Sequence, residues 1–193
     1  MAGVPAKYHR GARSACGGFR GVAPPGQHSM IRTALPGDVP AIYRLIRELA
    51  EYEQSLPEVT GTADDLRRSL FGANPAIYAH VATGDDDAVV GFALWFLNYS
   101  TWTGTHGIYL EDLFVERGIR GRGYGKALLA ELARICVERG YARLEWAVLD
   151  WNTPSIEFYQ ALGARAMDEW HTYRLTGPAL TALGSAHETR THP

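Results

Sequence analysis

Apolar residues recur along the chain with a period that switches several times, and each switch marks an element. Val39, Ile42, Leu45, Ile46 and Leu49 repeat at helical spacing behind Asp38, which is placed to cap a helix carrying Pro40 in its first turn. A shorter helix is predicted over 62–71. Residues 77–81 and 88–97 read as strands split by the turn-forming Gly84-Asp85-Asp86-Asp87, and 108–115 reads as a third, so the three form an antiparallel meander. Behind a glycine-rich segment, Leu128, Leu132 and Ile135 make one stripe of a helix that stops at Gly140. Leu144, Trp146 and Val148 alternate as a strand, Asn152-Thr153-Pro154 opens a helix that Gly163 ends, and a last strand is placed within 170–175. With a strand starting at Met30, the predicted order is β-α-α-β-β-β-α-β-α-β. That is an α/β (α+β) chain with a mixed central sheet flanked by helices.

Composition narrows the class of function. The 193 residues, 46% hydrophobic and 21% charged, suit one globular domain, placed here over 30–183. A net charge of −2 supplies no basic field for nucleic acid, and no run of 18 apolar residues exists to span a membrane, so the expected partner is a small molecule. Cys16 and Cys136 lie far apart and no Cys/His cluster has zinc-ligand spacing, so neither disulfide nor metal is expected, and the reducing cytoplasm is the expected compartment. Residues 1–29 carry Lys7, Arg10, Arg13 and Arg20 and no acid, which leaves the rest of the chain at −6 against −2 overall. Their six Gly and three Pro would spoil the amphipathic helix of a transit peptide, so they read as a disordered extension or a mis-assigned start. Residues 184–193 read as a frayed tail.

The sharpest local signal is Arg120-Gly121-Arg122-Gly123-Tyr124-Gly125-Lys126, between Leu113-Phe114-Val115 and the helix holding Leu128. Alternating glycines leave backbone N–H groups unshielded at a helix start, where orphan donors and the helix dipole both favour a phosphate. A flexible turn before a helix would have the same composition. The segment is neither the dinucleotide fingerprint nor a P-loop, which needs Lys-Ser/Thr after its last glycine.

Arg-x-x-Gly-x-Gly behind three strands resembles the acyl-CoA signature of the GNAT superfamily of N-acetyltransferases. About thirty residues on, Asn152-Thr153-Pro154-Ser155-Ile156-Glu157-Phe158-Tyr159 is similar to that superfamily's second hallmark. Leu45-Ile46-Arg47-Glu48-Leu49-Ala50-Glu51-Tyr52-Glu53 and Ile108-Tyr109-Leu110-Glu111-Asp112 resemble its diamine acetyltransferase branch. Tyr99-Ser100-Thr101-Trp102 and Ala147-Val148-Leu149-Asp150-Trp151-Asn152 are similar to the members of that branch that acetylate thialysine. The resemblance spans about 30–175 and implies a GNAT-type sheet, acetyl-CoA as co-substrate and a homodimer with sites at the subunit boundary. It also implies that the amides of Gly121, Arg122, Gly123, Tyr124, Gly125 and Lys126, behind Arg120, hold the pyrophosphate. Backbone at Leu113, Phe114 and Val115 would pair with the pantetheine arm as an added strand. Asn152 and Ser155 would contact the rest of that arm, with Tyr159 near the sulfur.

The same residues can be read from chemistry alone. An alkylammonium with a pKa near 10.4 costs roughly 4.6 kcal/mol to deprotonate at pH 7, so acetyl transfer to an amine needs a proton acceptor. Glu53, Glu111 and Asp112 are the candidates, and Glu111, acting through an ordered water, is favoured. Strand alternation puts Glu111 and Asp112 on opposite faces unless a bulge intervenes. Tyr159 is the candidate acid for the departing thiolate, although by pattern alone it joins Ile156 and Leu162 as a core stripe. A backbone N–H near Leu113 would hold the oxyanion. Tyr52, Trp102, Trp151 and Trp170 are candidates for an aromatic wall, with Trp102 and Trp170 preferred. The family resemblance, in contrast, is what implies that Ser100 stands where spermidine/spermine enzymes carry an acid. Cys136 reads as a small buried hydrophobe, and His106 and His171 receive no role.

The leading reading is therefore an acetyltransferase for a small primary amine, most simply thialysine, a lysine analogue or a short diamine. Polyamines, aminoglycosides and protein N-termini are the alternative acceptors. A non-catalytic acyl-CoA sensor is the alternative of another class.

Overall fold

The computed structural model describes residues 30–185, with the backbone alone at Met30. The expectations for residues 1–29 and for those after Ser185 lie outside the described residues. Among the described residues, five strands form one sheet in the order β1-β2-β3-β4-β5: β1 Met30–Thr33, β2 Tyr78–Thr83, β3 Val89–Ser100, β4 Thr105–Val115 and β5 Leu144–Glu145. The first four pair antiparallel and β5 joins β4 in parallel, which makes the sheet mixed as expected.

Helix α1, Val39–Tyr52, buries Val39, Ile42 and Leu45 and half-buries Ile46 and Leu49, the stripe read from the sequence. It packs on β3 and β4, where Phe92, Leu94 and Phe114 complete its core, and on α2, Ala63–Phe71. Each such fully buried aliphatic side chain is worth about 2 kcal/mol of transfer free energy. Thr62 caps α2 by accepting from the amide of Asp65, whose carboxylate reaches back to the amide of Thr62. Asp38, by contrast, does not cap α1 with its side chain. It closes a short 3-10 turn, Pro36–Asp38, and its carboxylate accepts from the Leu35 amide and from both terminal nitrogens of Arg32. A buried carboxylate within reach of a guanidinium gains more from that fork than from a helix start.

Helix α3, Tyr124–Arg139, buries Leu128, Leu129, Leu132, Ile135 and Cys136 and ends at Gly140 with φ +66°, the left-handed stop predicted there. It covers the other face of the sheet. Trp95, the neighbour of Leu94 on β3, donates its indole N–H to Nδ1 of buried His80, and His80 Nε2 lies 3.8 Å from Glu131 of α3.

The chain divides into two compact units, the first ending at Trp146 and the second beginning at Ala147. The described part of the second holds α4, Thr153–Ala161, and α5, Gly177–Ser185. The strand expected from Leu144, Trp146 and Val148 is confined to Leu144–Glu145, and the strand expected within 170–175 does not form. Alternating side chains do not make a strand without a neighbouring edge, and the described residues of the second unit contain helices and loops alone. Gly184, assigned from sequence to a frayed tail, belongs to α5.

Candidate active site

Three features of the first unit converge on the C-terminal half of β4. The first is an open strand edge. Strand β5 pairs with β4 only at Ile108 and Tyr109, so 110–115 continue with β3 on one side and, among the described residues, no strand on the other. The second is the glycine loop. After a 3-10 turn at Arg117–Ile119, Gly121 and Gly123 take φ +82° and +89°, which L side chains rarely adopt, and a Cβ at either would meet nothing within 4 Å. Their backbone is therefore open to approach where α3 begins. Arg122 and Lys126 are exposed and form no ion pair among the described residues. An exposed N–H cradle at a helix start, flanked by unpaired cations and an unpaired strand edge, fits a diphosphate on a long polar arm.

The third feature is a β-bulge. Leu94 stands opposite Asp112 and Trp95 opposite Leu110, so Glu111 is the extra residue and is exposed. Asp112 is half-buried and Glu53, just past the end of α1, is half-buried too. Burial, reinforced by Glu111 and then Glu53, raises the Asp112 carboxyl to about 7, and burial also raises that of Glu53.

Arg120 organises the end of α1. Its guanidinium lies 5.1 Å from the ring centres of both Tyr52 and Phe114, and its Nε donates to the Val115 carbonyl at 3.0 Å. Arg117, which the sequence reading did not single out, stands 5.3 Å from the Tyr52 ring. Its spacing of three from Arg120 across a 3-10 turn was the available signal. Tyr52 is therefore stacked by the chain's own cations, a use the aromatic-wall expectation did not include.

Ser100 and Trp102 are placed elsewhere. Ser100 is buried, at 8% exposure, with its hydroxyl accepting from the Thr103 amide in the β3–β4 turn, while Trp102 is exposed in that turn. Six residues of strand separate Ser100 from Leu94, the partner of Asp112, which is about 20 Å. That exceeds the reach of a lysine-sized molecule held at Asp112, so one chain does not bring these groups together. His106, left without a role, meets the Asn98 carbonyl and packs edge-on with Tyr99 and Tyr141.

The second unit holds the other motif. Asn152 is buried and caps α4, its Oδ1 accepting from the Ser155 amide. Tyr159 is half-buried beside Phe158, and α4 has no fully buried residue, so the Ile156, Tyr159 and Leu162 stripe is not a closed core. Trp151 and Trp170 are exposed.

Comparison with known proteins bears on the family and the fold. The Acetyltransferase (GNAT) family profile matches residues 40–164. A thialysine N-epsilon-acetyltransferase of Sus scrofa is 38% identical over 164 residues, covering 80% of this chain and 96% of that one. An L-ornithine N5-acetyltransferase of Arabidopsis thaliana is 33% identical over 199 residues, covering 80% and 87%. Among solved structures, an integron cassette protein from the mobile metagenome of V. cholerae superposes with a TM-score of 0.69 at 26% identity, over 82% of this chain and 99% of that one.

Proposed function

The chain belongs to the Acetyltransferase (GNAT) family, and from that premise we propose that it transfers the acetyl group of acetyl-CoA to the primary amine of a small molecule: thialysine, a related lysine analogue or a short diamine. The observation that carries the acceptor class is the group Glu53, Glu111 and Asp112 at the β4 bulge. Asp112 lies three residues, about 10 Å of strand, before the end of β4, beyond which a 3-10 turn leads to the glycine loop. An ammonium is drawn to three carboxylates, and one of them takes the proton whose removal costs roughly 4.6 kcal/mol in water at pH 7.

The chain's other residues serve position and charge. Amides of 121–126 hold the pyrophosphate, the open edge at Leu113, Phe114 and Val115 aligns the arm, and an amide near Leu113 faces the developing oxyanion. Asn152, whose Oδ1 accepts from the Ser155 amide at the start of α4, and Ser155 contact the rest of the arm. The Tyr159 phenol supplies a proton to the departing thiolate. Bound acetyl-CoA contributes an activated thioester; binding, orientation and proton movement belong to the protein. The 20 Å between Ser100 and the bulge supports the homodimer implied by the family resemblance, in which Ser100 and Trp102 serve the neighbouring subunit's site.

The test is acceptor-dependent release of CoA thiol with thialysine, lysine, putrescine and spermidine. Turnover led by thialysine is expected. CoA binding without acceptor-dependent release would leave an acyl-CoA binding module instead. Sedimentation at micromolar concentration showing monomer alone removes the dimer.

A further inference from the structure

Along β4, Ile108, Leu110, Asp112 and Phe114 alternate, and an unbroken strand would put all four on one face. The bulge breaks that series. Leu110 stands opposite Trp95, which shares its face with His80 and α3, whereas Asp112 and Phe114 stand opposite Leu94 and Phe92, which face α1. One extra residue, Glu111, thus moves Asp112 out of the α3 core and onto the side where α1 ends at Glu53.

We propose that Asp112 is the catalytic proton acceptor of the acetyl transfer, with Glu111 and Glu53 holding the ammonium beside it. The assignment rests on the acetyltransferase reading above and moves the proton from Glu111, which the sequence favoured, to the neighbour that the bulge turns toward Glu53. The groups facing Asp112 are Glu111 on its own strand and Glu53 from α1; β3 presents Leu94, and the guanidinia of Arg117 and Arg120 are stacked on Tyr52. Elsewhere carboxylates meet guanidinia, as in Asp38 with Arg32, Glu116 with Arg44 and Glu145 with Arg143. Among the described residues Glu53, Glu111 and Asp112 form no such pair, which leaves their charge for an incoming cation. Burial and the two like charges then poise Asp112 near neutrality, where a general base is most effective.

The step balances as follows. The ammonium N–H gives its proton to the Asp112 carboxylate, directly or through one water. The amine nitrogen forms the C–N bond to the thioester carbonyl carbon, and the C–S bond breaks with its electron pair on sulfur. The nitrogen's second proton offsets the one the thiolate receives, so amide and CoA thiol leave, and Asp112 returns one proton to solvent.

The experiment is the pH profile of kcat/KM for thialysine in wild type, Asp112→Asn and Glu111→Gln, with acetyl-CoA binding measured by calorimetry as the check on folding. Wild type should lose activity below an inflection near pH 7. Glu111→Gln should keep that limb but move it down by about half to one pH unit, because a like charge is gone. Asp112→Asn should abolish the limb and lower kcat by roughly 10²–10⁴. It should do far less damage with a hydrazide acceptor, which is neutral at assay pH and needs no base. A limb that survives in Asp112→Asn, or vanishes in Glu111→Gln, overturns the assignment while leaving the acetyltransferase standing. If Asp112→Asn fails to bind acetyl-CoA, the Glu111→Gln profile decides alone. Wild type that releases no CoA with any amine overturns the functional reading and this one together.

Discussion

Asp38 and Asp112 are both acids set among apolar neighbours, and the chain treats them oppositely. Asp38, 9% exposed, receives two Arg32 nitrogens at 2.6 and 2.9 Å and the Leu35 amide at 2.7 Å. Arg32 beside it holds its carboxyl below the ordinary range. Asp112 is surrounded by burial and two other carboxylates, and its carboxyl is raised to about 7. The first is satisfied by its own chain and belongs to the architecture. The second is left with like charges, an arrangement that is unfavourable until a cation arrives, which is what the proposed base requires.

The difference is broken most severely by neutralising each acid in turn and measuring single turnover. Asp112→Asn should lower the chemical step by roughly 10²–10⁴, which is about 3–5 kcal/mol of barrier. Asp38→Asn should leave the rate per folded molecule near that of wild type. Equal losses in both would mean that Asp112 acts through the fold.

The second effect is on stability and runs the other way. Asp38→Asn strands the Arg32 guanidinium, and with that side chain 33% exposed the loss should be about 2 kcal/mol, below the full figure for a buried pair. Urea unfolding at pH 7 reads it as a lower midpoint with an unchanged slope. In wild type the Asp38 contribution is present above the unfolded carboxylate pKa and is lost as pH falls through the depressed folded one.

The third effect uses the opposite sign. Folding holds the Asp112 proton up to about pH 7, whereas the unfolded chain releases it near 3.9, so this group lowers stability progressively as pH rises from 4 to 7. Asp112→Asn removes that penalty. The variant should melt a few degrees above wild type at pH 8, a gain of about 1–2 kcal/mol after screening, and the gain should shrink to nothing near pH 4. A variant with less activity and more stability is the signature of a site residue.

What the sequence disclosed follows the range of the interactions involved. Thr62, Gly140, Asn152 and Gly163 mark helix ends through contacts within a few residues, and all four do so here. The α1 stripe was legible for the same reason. Asp38 was misread as a cap because its partner lies six residues back on a strand, and no local pattern ranks a guanidinium over a helix start. The bulge was the largest omission. Sequence argument could state that Glu111 and Asp112 point apart unless a bulge intervenes, but the bulge is set by the register of β3 against β4, a non-local property. A charged residue continuing the apolar series Ile108, Leu110 and Phe114 was the one local hint. The strand expected within 170–175 failed likewise, since alternation reports a face and says nothing about an edge to pair with.

The smallest effect tests whether the carboxylates of the bulge act as a group or one by one. Glu53 stands past the end of α1, its amide donating to the Leu49 carbonyl, and it is the lesser of the two charges that raise Asp112. Glu53→Gln keeps the side chain's shape and its place behind the helix while removing that charge. The acid limb of kcat/KM should therefore move down by less than in Glu111→Gln, about a third to half of a pH unit, or roughly half a kcal/mol. KM for the amine should rise modestly, since one of the two carboxylates holding the ammonium is lost. Salt decides between a through-space charge and a rearranged helix end, because raising ionic strength shrinks the wild-type shift toward that of the variant only in the first case. A limb that stays put, with KM unchanged, would detach Glu53 from the group and leave Asp112 contrasted with Asp38 by Glu111 and burial alone.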